Sequence, residues 1–178
     1  MRELVRFRNV ASMVGVDATA RNVKRGQHLC RGEGLDDRIR LVLADACNSG
    51  LPTGRADFVW GEDAWCYVPD KAKLIGETAR LLRQSGMIAF TDWVEGPVEP
   101  TDTEAQRFLR TMSFANVQDV EGYVRPVSQN GSEVRVAEDT GRFPSSSLLS
   151  RFTSCVHTTM TRLKSLTLIG FSTQPLRT

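Results

Sequence analysis

The 178-residue sequence contains neither a long apolar run nor a dense cluster of basic residues. No apolar run is long enough to span a bilayer, and the N-terminal MRELVRFRNV lacks the apolar core of a secretory signal. The formal net charge is +2, with Lys and Arg scattered along the chain. This pattern argues against nucleic acid and against an anionic membrane as the partner.

Paired cysteines are also missing. The four cysteines form no C-x-x-C motif, which predicts reduced thiols in a cytoplasmic protein. His28 and Cys30 are close in sequence, but no second ligand pair accompanies them, so we expect a surface helix and no metal site. Hydrophobic residues make up 40% of the chain and charged residues 25%, which suits one globular domain with a real core.

What is present is an alternation of apolar strands and amphipathic helices. Four short apolar segments predict strands over 12–17, 38–45, 56–63 and 85–93. Thr19 and Asp70 are suitable N-caps for helices that run to about Arg31 and Arg83. This order predicts an α/β fold with a parallel sheet covered on both faces.

The pattern changes after Trp93, where EGPVEP reads as a linker. Thr101 and Glu104 form a capping box for the next helix, and VQDVEGYVRPVSQNG predicts another, which Pro126 should kink or shorten. SEVRVAED predicts a late strand, and no element is assigned from Arg142 onward. We therefore expect a partial domain over residues 1–143 and a divergent tail over 144–178.

Acidic residues end three successive predicted strands: Asp17, Asp45 and the pair Glu62 and Asp63. In an open parallel sheet, the carboxyl ends of the strands line the ligand crevice, so these acids should face one cleft. Acids in such places also cap the next helix or turn, and for any single acid the two interpretations are about equal. Three acids in register favour a binding site.

The spacing of several segments carries a family resemblance. GVDATARNVKRGQ, VLADACNSGLP, ADFVWGEDAWCYVPDKAKLIGETARLLRQSGMIAFTDW and GYVRPVSQNGSEVRVAEDTGRF are similar to successive motifs of class I S-adenosylmethionine-dependent methyltransferases. More narrowly, they resemble the sarcosine/dimethylglycine N-methyltransferase group. The resemblance covers about Arg2 to Phe143 and implies a Rossmann-like fold with S-adenosylmethionine as cofactor.

The resemblance also implies roles for five cofactor-binding residues. Asp17 would accept hydrogen bonds from the two ribose hydroxyls, and Ala18 would lie against the sugar or the adenine edge. Asp45 would accept from the exocyclic amine of adenine, and the backbone of Ala46 would help to fix the ring. Glu62 would stand near the amino group of the methionine moiety.

The segment EDAWCY is expected to reach a small amine that accepts the methyl group. Trp65 and Tyr67 offer ring faces for a methylated ammonium, and Asp63 would orient the amine or stabilise the cation. These three residues are the predicted catalytic set. The alternative for both aromatic residues is packing at the rim of the site, with about even odds.

Two departures from the family pattern shape the expectation for this chain. The family's first strand and its glycine-rich turn should precede the helix that RELVRFRN ends, and the chain starts inside that helix. That strand is central in the family's sheet, between those ending at Asp17 and Glu62. The tail also differs from the relatives. We therefore expect an open gap in the sheet, aggregation or an oligomer through open strand edges, weak cofactor binding and no measurable turnover.

The sequence thus predicts methyl transfer from S-adenosylmethionine to a small amine, by an enzyme lacking part of its cofactor site. A non-catalytic remnant or gene fragment without turnover is the alternative. A Rossmann dehydrogenase would also place Asp17 on a ribose. The sequence contains no glycine fingerprint, and Asp45 fits an adenine position, so the dehydrogenase is disfavoured.

Overall fold

Strands and helices alternate along the first part of the chain. The computed structural model describes residues 1–8, 10–96 and 100–138 and the backbone of two further strands, 152–155 and 166–171. The elements are α1 (Arg2–Phe7), β1 (Val10–Asp17), α2 (Ala20–Gly32), β2 (Ile39–Leu43), β3 (Ala56–Glu62), a 3-10 turn (Trp65–Tyr67), α3 (Lys71–Leu81), β4 (Leu82–Glu95), α4 (Asp102–Met112), α5 (Val120–Gln129), β5 (Phe152–Cys155) and β6 (Leu166–Phe171).

The described strands form one six-stranded sheet in the order β2-β1-β6-β3-β4-β5. The neighbours from β2 to β4 are parallel, and β5 runs antiparallel to the end of β4. The predicted α/β fold with a parallel sheet is confirmed. β5 adds an antiparallel edge, which is common on otherwise parallel sheets.

The strand between β1 and β3 comes from the end of the sequence. In β6, Leu168 pairs with Met13 of β1 on one side and with Phe58 of β3 on the other. The expected open gap between these strands is therefore wrong, because β6 satisfies their backbone groups on the facing sides. The division of the chain at residue 143 stays a prediction, although both β5 and β6 follow that boundary and join the sheet.

Apolar side chains cover both faces of the sheet. On one face the core includes Leu74 and Ile75 of α3, while on the other Val5 of α1 and Cys30 of α2 are buried. Neighbouring residues of the strands point to opposite cores, as a parallel sheet buried on both faces requires. Among the described residues, no helix is both long and apolar enough to cross a bilayer.

The predicted helix starts are confirmed. Thr19 is the N-cap residue of α2, and the Asp70 side chain caps α3 by accepting from the Lys73 N–H at 2.9 Å. Both bonds of the Thr101 and Glu104 capping box are present at the start of α4. Helix α5 continues past its proline to Gln129.

The strand predicted for SEVRVAED is wrong. Residues 132–138 belong to no strand, although half-buried and exposed residues alternate over 132–137. The described strand that pairs with the outer edge of β4 is β5 instead. Alternation shows that a segment is extended, but a strand also needs a partner for its backbone groups. Residues 132–137 line a cavity of about 430 Å³ together with α5 and the first half of β4.

Candidate active site at the carboxyl edge of the sheet

The register of the strands aligns the predicted acids in one row. Val16 and Gly61 both pair with Phe171 of β6, so Asp17 and Glu62 each lie one residue beyond the same row. Two inter-strand spacings of about 4.8 Å put their backbones about 10 Å apart. Asp45 follows two residues after Leu43, the partner of Asp17. The order along the carboxyl edge is therefore Asp45, Asp17, β6 and Glu62.

Asp17 is buried at the end of β1 and already makes two local hydrogen bonds. Its Oδ1 accepts from the Thr19 N–H at 2.7 Å, and its Oδ2 accepts from the Asn22 side chain at 3.0 Å. The carboxylate thus serves the start of α2, as the capping interpretation expects. A carboxylate has about four acceptor positions, so the same group retains capacity for a ligand.

Asp45 lies in the loop after β2, with its side chain exposed. Its Oδ1 accepts from the Cys47 N–H at 2.8 Å, and Ala46 between them is buried. Ala18 is exposed and directly follows Asp17 at the end of β1. The four predicted cofactor residues Asp17, Ala18, Asp45 and Ala46 therefore lie at one corner of the sheet.

A buried carboxylate of α3 holds the far end of this loop. Glu77 Oε1 accepts from both the backbone N–H and the hydroxyl of Ser49, at 2.9 and 2.5 Å, and Arg80 donates to Glu77 at 2.7 Å. Hydrogen bonds from the Arg80 guanidinium lower the pKa of Glu77 to about 2, and the Ser49 bonds act in the same direction. Glu77 is therefore ionised wherever the protein is near neutral pH.

Two adjacent acids stand where β3 ends. Glu62 is exposed, and Asp63 is half-buried with a φ of 46°, in the left-handed region. The Asp63 N–H donates to the Thr91 carbonyl at 2.8 Å, and the Thr91 hydroxyl donates to Asp63 Oδ1 at 3.2 Å. A non-glycine residue in this conformation persists where its surroundings fix it, and such residues cluster at functional sites.

The two predicted aromatic residues have different surroundings. Trp65 is 0% exposed and stacks on Phe90 with ring centroids 3.9 Å apart. Its indole edge lies against the Cα of Gly61, where a Cβ would collide. This burial favours packing over an open ring face. Tyr67 is half-buried and meets Phe114 edge to face, with centroids 5.1 Å apart.

Sequence reasoning missed a buried polar group beneath this turn. Asp92 is 0% exposed and accepts the hydroxyl hydrogen of Tyr123 as well as the Cys66 N–H, and Lys71 is buried at 5% exposure on the other side of the turn. Burial raises the pKa of Asp92 and lowers the pKa of Lys71, and the opposite charges partly offset both shifts. The signal was an acid inside the apolar run IAFTDW, which suggests a buried partner.

A family model described as a methyltransferase domain matches residues 1–90. The sterol 24-C-methyltransferase of Eremothecium gossypii is 31% identical over 93 residues, which are 52% of this chain and 25% of that protein. The sarcosine/dimethylglycine N-methyltransferase of Halorhodospira halochloris is 28% identical over 96 residues, 49% of this chain and 34% of its own length.

A solved structure supports the same fold. A candidate sarcosine dimethylglycine methyltransferase from Galdieria sulphuraria superposes with a TM-score of 0.70 at 24% identity, over 78% of this chain and 51% of that one. The chain thus spans about half of that protein and between 25% and 34% of the two curated relatives. The predicted class I, Rossmann-like fold is confirmed, and the chain belongs to the methyltransferase domain family.

Proposed function

We propose that this chain binds S-adenosylmethionine along the carboxyl edge of the sheet and transfers its methyl group to a small amine. The observation that carries the proposal is the ordered row of acids Asp45, Asp17 and Glu62. Their order along the edge matches the order of adenine, ribose and methionine amino group in the extended cofactor. Asp17 and Glu62 end two strands whose relative register is fixed by β6, and Asp45 follows β2, which pairs with β1.

The cofactor residues fit this ligand by their donor and acceptor chemistry. Asp17 retains acceptor positions for two ribose hydroxyls beyond its bonds to Thr19 and Asn22. Exposed Asp45 accepts from the adenine amine, while the backbone of buried Ala46 and the small side chain of Ala18 border the ring and sugar. Glu62 pairs with the amino group of the methionine moiety.

The acceptor side is formed by Asp63 and Tyr67. When bound, S-adenosylmethionine supplies an electrophilic methyl group on its sulfonium. The attacking amine must be neutral and aligned. Its lone pair would form the new N–C bond as the C–S bond breaks, which would give a cationic amine and S-adenosylhomocysteine as the neutral leaving group. Asp63 is an anion at a fixed place beside the end of β3, and Tyr67 offers a ring to an ammonium. Trp65 supports this turn from the core, against Phe90.

Acceptor class is where the relatives differ, since the two curated proteins carry the names of a sterol C-methyltransferase and an amine N-methyltransferase. The adjacent carboxylates Glu62 and Asp63 favour an acceptor whose product is positively charged. We therefore assign a sarcosine- or dimethylglycine-like amine as the acceptor class.

Calorimetry and methyl-transfer assays test this function. We expect binding of S-adenosylmethionine, no binding of a nicotinamide dinucleotide, and labelled methyl transfer to sarcosine or dimethylglycine but not to a phenol. Asp63→Asn keeps a residue that tolerates a left-handed conformation and removes the charge, so it should lower turnover about tenfold or more. Asp37→Asn, an exposed site just before β2 at the opposite edge, is the matched control.

The outcomes separate the alternatives. Cofactor binding without transfer to any amine would contradict the acceptor assignment and support a non-catalytic remnant. Absence of cofactor binding would contradict the whole proposal. Transfer to the phenol at a rate equal to that of the amines would remove the carboxylates as the basis of selectivity.

A further inference from the structure

The turn over residues 64–69 lies between β3 and α3. The buried ammonium group of Lys71 binds backbone carbonyls of this turn. Lys71 Nζ donates to the Trp65 carbonyl at 2.8 Å and to the Val68 carbonyl at 2.7 Å, and to Asn116 Oδ1 at 2.5 Å. An ammonium has three hydrogens to donate. The acceptors are the two turn carbonyls and Asn116, whose backbone carbonyl also lies 3.5 Å from Nζ, so the turn and the loop between α4 and α5 together solvate the ammonium.

The amide side of the same turn faces a buried carboxylate. Asp92 Oδ1 accepts from the Cys66 N–H at 3.1 Å, and its other oxygen accepts from the Tyr123 hydroxyl. Asp92 belongs to the end of β4 and Tyr123 to α5. The turn therefore lies between an amine and a carboxyl group that bind its opposite backbone groups.

The loop between α4 and α5 also makes hydrogen bonds to the turn over residues 64–69. The Ala115 N–H donates to the Cys66 carbonyl at 2.9 Å, and the Asn116 side chain donates to the Pro69 carbonyl at 2.7 Å. Asn116 thus contacts both the turn and the ammonium of Lys71. The loop between α4 and α5 and the turn over residues 64–69 therefore share one hydrogen-bond network.

We propose that Lys71 and Asp92 clamp this turn from opposite sides and act as positioning residues that fix Asp63 and Tyr67 at the acceptor side. The inference rests on the function proposed above. Burying two charges is costly compared with apolar packing, so packing alone would hold a turn at lower cost. Hydrogen bonds with a charged partner are stronger than neutral ones and restrict the geometry of the groups they join. Asp63, which is next to the turn and has a left-handed backbone conformation, needs restraint of this kind, because a strained backbone relaxes when its surroundings allow it.

Lys71→Met tests the clamp, because methionine keeps the length of the side chain and removes its three donors. Lys73→Met is the matched control, since Lys73 lies two residues further along α3 with its side chain 75% exposed and paired with Asp70 at the surface. We expect Lys71→Met to raise the KM for the amine, or lower kcat, about tenfold. The dissociation constant of S-adenosylmethionine should stay within about twofold, and Lys73→Met should change none of these values.

A second measurement decides the case if Lys71→Met does not fold or if the native chain transfers no methyl group. Asn116→Ala removes one partner of the ammonium together with the side-chain bond to the Pro69 carbonyl, and it leaves the bonds from Lys71 to the Trp65 and Val68 carbonyls. Hydrogen exchange in a peptide covering 63–70 should become about tenfold faster in Asn116→Ala, while exchange in β1 stays unchanged. Unchanged exchange in the turn would overturn the clamp whether or not the chain is an active methyltransferase.

The kinetic outcomes also differ between positioning and packing. Faster exchange in the turn with native KM and kcat would overturn the positioning role. A parallel loss of cofactor and amine affinity would do the same, because it would indicate general destabilisation. A wholly inactive native chain with a clamp-dependent turn would contradict the proposed amine chemistry and leave the clamp standing.

Discussion

The two halves of the carboxyl edge are held in place by different kinds of contact. On the cofactor side, Asp17 and Asp45 make hydrogen bonds to partners two to five residues away. On the acceptor side, Lys71 and the Cys66 N–H bind partners 45 and 26 residues away. The acids of the first half are therefore held by local contacts, although Glu77 holds the far end of the Asp45 loop from 28 residues away. The second half depends on contacts that form once distant segments have packed.

Strand β6 joins these halves, because it pairs with β1 of the cofactor side and β3 of the acceptor side. Its removal would separate the two acids that flank it, Asp17 and Glu62. The relation between the halves thus depends on a strand that comes from the end of the sequence.

The largest effect is expected from a proline in β6. Leu168→Pro removes a backbone N–H from the centre of a parallel sheet and forces its neighbours apart. Each unpaired buried group costs about 1–3 kcal/mol, and several together approach the stability of a domain, about 5–15 kcal/mol. We expect thermal unfolding monitored by circular dichroism to lose its cooperative transition.

Thr153→Pro in the edge strand β5 is the control for that experiment, because proline is tolerated at sheet edges. It should leave a cooperative transition at a moderately lower temperature. A native-like melt for Leu168→Pro would mean that β6 does not hold the two halves together.

The second effect concerns the loop of the cofactor half, which Glu77 holds through Ser49. The pKa of Glu77 is lowered to about 2 by Arg80, so its stabilisation is fully present above its ordinary value of about 4.5 and is lost as the pH falls toward 2. Glu77→Gln should reduce the free energy of unfolding by about 2–3 kcal/mol at pH 7.

Denaturant unfolding at pH 7 and at pH 3 tests the direction of this pH dependence. The difference between the native chain and Glu77→Gln should shrink at pH 3, whereas Glu121→Gln, an exposed site on α5, should show little difference at either pH. A difference that is constant with pH would show that packing of the side chain, not its charge, holds the loop.

Features that depend on neighbouring residues were predictable from sequence, and the long-range contacts of the acceptor side were not. Asp17, Asp45, the Asp70 cap and the capping box at Thr101 follow from short-range patterns, since strand ends and helix starts are defined within a few residues. Lys71 follows the Asp70 cap and looks like a surface residue of a first helical turn. No pattern in the sequence connects it with Asn116.

The position of β6 was missed for a related reason. An apolar run of six residues is compatible with several structures, and a parallel strand can pair with neighbours far along the chain. The strand predicted for SEVRVAED was wrong for the opposite reason. The alternation of half-buried and exposed residues is present, but no described strand pairs with the segment. In both cases the hydrogen-bonding partner decided the outcome.

A third, intermediate effect tests the cofactor half directly. Asp17→Ala should weaken S-adenosylmethionine binding by about 1–3 kcal/mol, because two ribose hydroxyls then face no acceptor. Isothermal titration calorimetry measures the change. Asn22→Ala removes the hydrogen bond to Asp17 Oδ2 and leaves the carboxylate in place. It therefore distinguishes a loss of affinity caused by a weakened start of α2 from one caused by the missing contact between Asp17 and the ribose. Equal losses for both variants would assign Asp17 to capping.

The smallest effect is expected at Asp45, where the side chain is exposed and water competes for each hydrogen bond. Asp45→Asn can present its amide donor to the amine of adenine, and it should weaken S-adenosylmethionine binding by about 1 kcal/mol or less. The same substitution retains an oxygen for the Cys47 N–H, so the loop should keep its shape. An S-adenosylmethionine analogue with hydrogen in place of the exocyclic amine has no donor for the carboxylate and no donor that opposes the amide. The native chain and Asp45→Asn should therefore bind this analogue with almost equal affinity. Losses of the same size for both ligands would show that Asp45 caps the loop and does not contact adenine, and Asp17 and Glu62 would then be the two acids left to bind the cofactor.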